Sequence, residues 1–450
     1  MSEPASIKAL LRLAGPMVLA RASQSVVTFA DAYQVRHLGH EAIAAVATGG
    51  LNVMGFLMLA WGLVFIIQSF VAQLAGRGAR DEAPRFAWYG LILAGLAGAI
   101  AAAMIPLIGP ILTHTEYSPG VRDHMASYMA IRLLSVGAVI GVEALGNWYG
   151  GLGNTWVQMA AGLLTMVTAV FFNWVLIDGH LGAPAMGVDG AALASTIASG
   201  LGFAFAFAVF WRRAGGAPTT PAGKLSLREL GRVVRFGLPN GLNWFLELAA
   251  FQLFVNGMLA GLGGVTVAAL NVVLAVNSLS FMPAFGLASA GAILAGQAIG
   301  AGERDRVWPQ VKITLACNMV WMGTIAVVYL VFPRAVLQLF DSEHGGQLVV
   351  IGASMLAISA AWQLADAVGM TLSETLRAAG DTAWTAMVRL AVAWFGFLPA
   401  AYLVVSRRHG GPNGAMLCLV GYIALQSGLL AWRFRSGRWK QIQLIEPKLV

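Results

Sequence analysis

The chain has 450 residues, of which 58% are hydrophobic and only 11% charged; its mean hydropathy is +0.74 and its formal net charge +8. A soluble domain is about 25% charged, so this chain lacks the charge to cover a water-facing surface, and disorder is excluded because it needs low hydrophobicity and high charge. Two cysteines, Cys317 and Cys418, exclude a disulfide scaffold, and the basic excess fits loops that face anionic lipid better than it fits nucleic acid.

The first residues, Met1-Ser2-Glu3-Pro4, carry no basic segment or small-residue cleavage site, so the first apolar stretch reads as an uncleaved span. Crossing a bilayer takes about 20 helical residues. Apolar runs of at least that length predict twelve spans, at 10–35, 42–74, 86–112, 124–149, 156–177, 188–211, 237–260, 265–297, 312–334, 348–375, 384–405 and 412–433. Pro16, Pro106, Pro239, Pro283 and Pro399 lie inside them, as is common in membrane helices. With the N-terminus in the cytoplasm, 20 Lys and Arg fall on that side and 5 on the other, while Arg21, Arg132 and Arg389 lie within spans. That bias predicts both termini inside.

The basic connection from Arg212 to Lys224 divides the spans six and six. The predicted organisation is an N-terminal lobe at 1–215, a cytoplasmic linker at 216–230 and a C-terminal lobe at 231–450. Three segments recur in order. Arg12-Leu13-Ala14-Gly15-Pro16 resembles Arg235-Phe236-Gly237-Leu238-Pro239, the Gln73–Asp81 segment resembles Gln297–Asp305, and Gly153-Asn154-Thr155 resembles Gly380-Asp381-Thr382, at offsets of 223, 224 and 227. Six spans per copy is even, so the copies point the same way. The fold class is therefore an all-α membrane protein, with twelve transmembrane helices in two six-helix lobes related by a parallel repeat.

Acidic residues inside spans carry the functional signal, since each costs about 2.5–3.5 kcal/mol at a helix centre and such residues usually mark an ion or substrate path. The acids that carry it are Asp31, Glu143, Glu247, Asp366 and Glu374. Gln24, Thr28 and Asp31 share one helical face, as do Asn240, Asn243 and Glu247. Trp362 stands one turn before Asp366 and would bring an aromatic face to a negative charge, which suits an organic cation. The competing reading is neutralisation of these acids by Arg21, Arg132 or Arg389. Glu143 and Glu374, near span ends, read as structural. All seven histidines (His37, His40, His114, His124, His180, His344 and His409) fall near the outer face and read as interfacial, and no GxxxxGK[ST] motif points to ATP. Ser/His/Asp catalysis would need a histidine deep in the membrane, and the sequence places none there, so an enzyme is not expected.

These residues resemble the multidrug and toxic compound extrusion (MATE) family, and within it the NorM-like branch. The resemblance covers nearly the whole chain and is most specific at Phe245-Leu246-Glu247-Leu248-Ala249-Ala250-Phe251 and Gln363-Leu364-Ala365-Asp366-Ala367-Val368, with Ala30-Asp31 and Asn173–Gly179 adding to it. It implies a secondary antiporter that expels organic, often cationic, compounds in exchange for Na⁺ or H⁺, with no other cofactor. Glu247 and Asp366 match the branch's cation-binding carboxylates, so Na⁺ is one expected occupant there. Asp31 and Asn173 match its N-terminal-lobe ion site, and Trp362, Gln24, Asn243, Asn240 and Thr28 are the expected substrate-lining residues. Two positions depart from the pattern: Trp362 stands where a tyrosine is usual, and Ala169 where an amide or acid often precedes Asn173 by four. A monomer in a bacterial inner membrane is expected, with small organic cations and the lipid bilayer as partners and no nucleic acid. The alternatives are a lipid-linked oligosaccharide flippase of the same superfamily and, from another class, an ion channel or membrane scaffold.

Overall fold

A backbone in lipid must satisfy its own hydrogen bonds, so long apolar runs have little choice but to become helices. The computed structural model describes residues 6–115, 117–212, 224–338, 346–407 and 410–445, apart from the side chains of residues 25, 28, 29, 32 and 40. The side chains of Thr28 and His40, the linker residues 216–223, and His344 and His409 lie outside the described residues.

The helices are α1 (Ile7–Gln34), α2 (His40–Val64), α3 (Ile67–Arg77), α4 (Pro84–Leu112), α5 (Pro119–Leu133), α6 (Val136–Gly151), α7 (Trp156–Asp178) and α8 (Gly187–Trp211). The second half holds α9 (Leu227–Gly257), α10 (Gly264–Gly300), α11 (Val307–Val331), α12 (Pro333–Gln338), α13 (Gln347–Ala378), α14 (Thr382–Ala391), α15 (Leu398–Ala401) and α16 (Gly411–Arg435). Among the described residues, ten helical segments are long and apolar enough to cross a membrane, and the pair α5–α6, bent by 43°, makes an eleventh. The remaining rod, α1, has the length but carries Arg12, Arg21, Gln24 and Asp31. Each of the twelve expected spans falls on one of these rods. The chain is a multi-pass membrane protein.

Besides the bent pair α5–α6, two further spans are less regular than their apolar runs suggest. The second breaks between α2 and α3 at Phe65–Ile66. In the eleventh, π-helical segments at Val392–Phe397 and Tyr402–Arg407 flank α15. Pro399 offers no N–H to the carbonyl four residues back and its ring crowds that carbonyl, which accounts for the widened turn before it.

Compactness divides the chain into residues 19–241 and residues 1–18 with 242–450. The boundaries fall inside α1 and α9, shortly after Pro16 and Pro239. In the first unit, small residues let helices approach closely. A Cβ on Gly190 of α8 would run into the Leu176 carbonyl of α7, and one on Gly151 would meet the Gln68 carbonyl at 2.8 Å. Trp148 is fully buried and donates from Nε1 to the Ala83 carbonyl at 2.8 Å. In the second unit, α13 is the axle, packed by α10, α11 and α16. Phe254, Phe397 and Tyr422 form a run of ring contacts at 5.0 and 5.2 Å beside it.

The segments paired in the sequence also fold alike. Gly78 and Gly302 end α3 and α10 in the left-handed region, at φ 81° and 80°, each followed by a short 3₁₀ turn. Gly153 and Gly380 do the same at φ 84° and 88° before α7 and α14.

Candidate functional site

In the second unit, Glu247 sits mid-way along α9 among donors. Arg389 of α14 meets it side-on, Nε to Oε1 at 3.2 Å and Nη2 to Oε2 at 2.9 Å. Tyr422 donates its hydroxyl to Oε1 at 2.6 Å, Gln426 donates Nε2 to Oε1 at 2.9 Å, and Asn243 donates Nδ2 to Oε2 at 3.1 Å. Helical spacing explains the convergence, because Asn243 lies one turn before Glu247, and Tyr422 and Gln426 are one turn apart on α16. Arg389 also donates Nη1 to Ser373 Oγ at 3.1 Å, which fixes the outer edge of the guanidinium. Just beyond it, Trp394 in the first π segment donates to the Leu246 carbonyl at 3.2 Å, so the widened turn bears on α9 beside the carboxylate.

Asp366, on α13, differs. It is half-buried and makes no hydrogen bond or ion pair among the described residues, while Arg389 and Glu247 are close enough to act on it electrostatically. An acid inside a spanning helix with open lone pairs can take a proton or a cation. Trp362, one turn earlier, is 6% exposed and belongs to the apolar core. Gln363 faces inward too, donating to Asn277 Oδ1 at 2.7 Å.

The first unit holds a second acid. Asn173 of α7 donates Nδ2 to Asp31 Oδ1 at 2.5 Å, and Ser195 of α8 donates its hydroxyl to Oδ2 at 3.2 Å. Arg132 of α5 acts on Asp31 by charge. Asn173 is fully buried, and its Oδ1 has no partner among the described residues. That leaves an unsatisfied oxygen beside a carboxylate, a donor set that suits a cation.

The remaining sequence-selected residues are placed elsewhere. Gln24 donates to Glu143 at 3.2 Å within a buried cluster, where Arg21 meets Glu143 at 3.1 and 3.3 Å and lies 5.4 Å from the Trp61 ring centre. Asn240 donates to the Gly62 carbonyl at 2.8 Å and does not join Asn243 at Glu247. Glu374 pairs with Arg377 one turn on. The structure therefore joins Asn243 to Glu247 and Asn173 to Asp31, and gives Trp362, Gln24 and Asn240 packing or pairing partners.

A family model, MatE, matches residues 16–175 and matches again at residues 244–403. The chain belongs to the MatE family. Each half thus carries one copy of the MatE pattern. The chain is 28% identical over 442 residues to the multidrug resistance protein NorM of Burkholderia vietnamiensis, covering 94% of this chain and 92% of that protein. It is 26% identical to a probable multidrug resistance protein NorM of Thermotoga maritima, covering 96% and 93%. Among solved structures, an outward-facing multidrug resistance MATE family transporter of the MOP superfamily superposes with a TM-score of 0.88 at 21% identity over 97% of both chains. The eukaryotic MATE transporter AtDTX14 does so at 0.87 and 18%, over 96% of both. At these identities the structures establish a shared fold. These matches are to transporters, not enzymes.

Within this MatE chain, sequence reasoning left out Tyr422, Gln426 and Ser195, and offered Arg21, Arg132 and Arg389 as neutralising partners without assigning each to its acid. Tyr422 and Gln426 carried a usable signal, two polar groups one turn apart in an apolar span. Ser195 carried none, lying in a helix rich in small residues.

Proposed function

We propose that this MatE chain is a secondary active multidrug efflux antiporter of a bacterial inner membrane, with both termini cytoplasmic, that expels organic cations in exchange for Na⁺ or H⁺. The observation that carries the reading is Asp366, an acid in a spanning helix with no hydrogen bond or ion pair among the described residues. Its similarity to multidrug resistance proteins supports the substrate class.

The coupling sites in this reading are Glu247 with Asp366 in one unit and Asp31 with Asn173 in the other. An ion arriving from outside neutralises an exchanging carboxylate and weakens its hold on a cationic drug, which leaves outward. Release of the ion to the cytoplasm restores the negative charge and the affinity for the next drug molecule. Transport requires the two ligands to favour different conformations, since a ligand that binds both equally shifts nothing. Competition for one charge supplies that difference.

In inverted vesicles, Asp366→Asn is expected to abolish gradient-driven ethidium transport while leaving insertion and melting temperature near wild type. Wild-type transport by that variant would remove Asp366 from the mechanism.

A further inference from the structure

Glu247 and Asp366 carry like charges in one unit, yet their surroundings differ. A carboxylate has about four lone-pair sites on its two oxygens. Glu247 receives five N–H or O–H donors at 2.6 to 3.2 Å, two of them from the single fork of Arg389. Its acceptor capacity is filled. A hard cation is held by several oxygen lone pairs at once, and the groups around Glu247 present hydrogens to it instead. Among the described residues no cluster of three or more acidic, histidine or cysteine side chains could hold a metal ion.

We propose that Arg389 is the specificity-determining residue of this carboxylate pair: it saturates Glu247, leaves Asp366 as the position that exchanges the coupling ion, and makes that ion a proton. The inference rests on the antiport reading above and deepens it. With Arg389 counted, the trio of Glu247, Arg389 and Asp366 bears one net negative charge, which a single proton or a single drug cation cancels. A proton bonds to one carboxylate oxygen and needs no coordination shell. A sodium ion at Asp366 would need further oxygen ligands and would sit within electrostatic reach of the fixed guanidinium. The charged groups that reach Asp366 are Arg389 from α14 and Glu247 from α9. Of the helices packed on α13, α10 has no ionisable residue, Tyr422 of α16 is turned to Glu247, and Tyr329 of α11 donates to the Val276 carbonyl.

Arg389 is a positioning residue here, acting through the carboxylate that it occupies. Its guanidinium is locked at both edges, by Glu247 and by Ser373, and lysine cannot reproduce that fork.

The test uses the full chain in proteoliposomes with ethidium as probe, driven either by a pH gradient without Na⁺ or by a Na⁺ gradient at clamped equal pH. The wild type is expected to move ethidium about tenfold faster under the pH gradient than under Na⁺, a coupling-sized effect. Arg389→Gln, which unlocks Glu247, is expected to gain Na⁺-driven flux and ²²Na⁺ binding to the purified protein, and Glu247→Gln added to it should remove both. If Arg389→Gln fails to fold, the wild-type comparison decides alone. Na⁺-driven wild-type flux that Glu247→Gln abolishes overturns the inference and leaves the antiport reading standing. Flux under neither gradient overturns both.

Discussion

Arg21 and Glu143 have side chains only 5% exposed and meet at 3.1 Å, so losing one partner strands a charge away from water. Glu143→Ala is expected to destabilise the protein by about 3–5 kcal/mol, as broken buried pairs do, with the double change Arg21→Met and Glu143→Leu recovering most of it. Thermal melting in detergent measures both, and a neutral Glu143→Ala would show that the pair contributes no stability. The acids and arginines were legible one by one, because a charge in an apolar run stands out. Their pairing was not. Arg21 and Glu143 are 122 positions apart and Arg389 and Glu247 are 142, so only the packing of distant helices joins them. Of the three intramembrane arginines considered as neutralising partners, Arg21 took Glu143, Arg389 took Glu247, and Arg132 acts on Asp31 by charge.

Single helices were the easiest structures to anticipate, since an apolar run in lipid has one low-energy backbone. Irregularities inside them were harder. The break at Phe65–Ile66 has no sequence mark, whereas the π segment before Pro399 has one that is readable only after the fact. Turns that recur between the halves give a sharper check on the repeat. Gly78 and Gly302 share a left-handed φ near 80°, and a Cβ on either would meet nothing within 4 Å. Substitution by alanine therefore costs backbone strain alone, about 1–2 kcal/mol at each site. Gly78→Ala and Gly302→Ala should lower the melting temperature by similar amounts, and a large inequality would argue that the two turns are not equivalent.

At the scale of the whole chain, the count of lysines and arginines sets an orientation that cysteine labelling reads directly. In a background where Cys317 and Cys418 are serine, a cysteine at Leu181, which is 75% exposed beyond α7, is expected to react with an impermeant reagent from the outer side. Arg435→Cys, at the end of α16, should react from the cytoplasmic side, and the reverse pattern would invert the topology. The topology in turn fixes which gradient can drive export. If an ion and an organic cation compete for the same intramembrane negative charge, equilibrium binding of ethidium to the purified protein reports that competition. As acid is added at fixed Na⁺, and separately Na⁺ at fixed pH, the apparent affinity for ethidium should fall with the coupling ion in the wild type and stay flat in Asp366→Asn. Wild-type ethidium affinity unchanged by either ion would contradict the account.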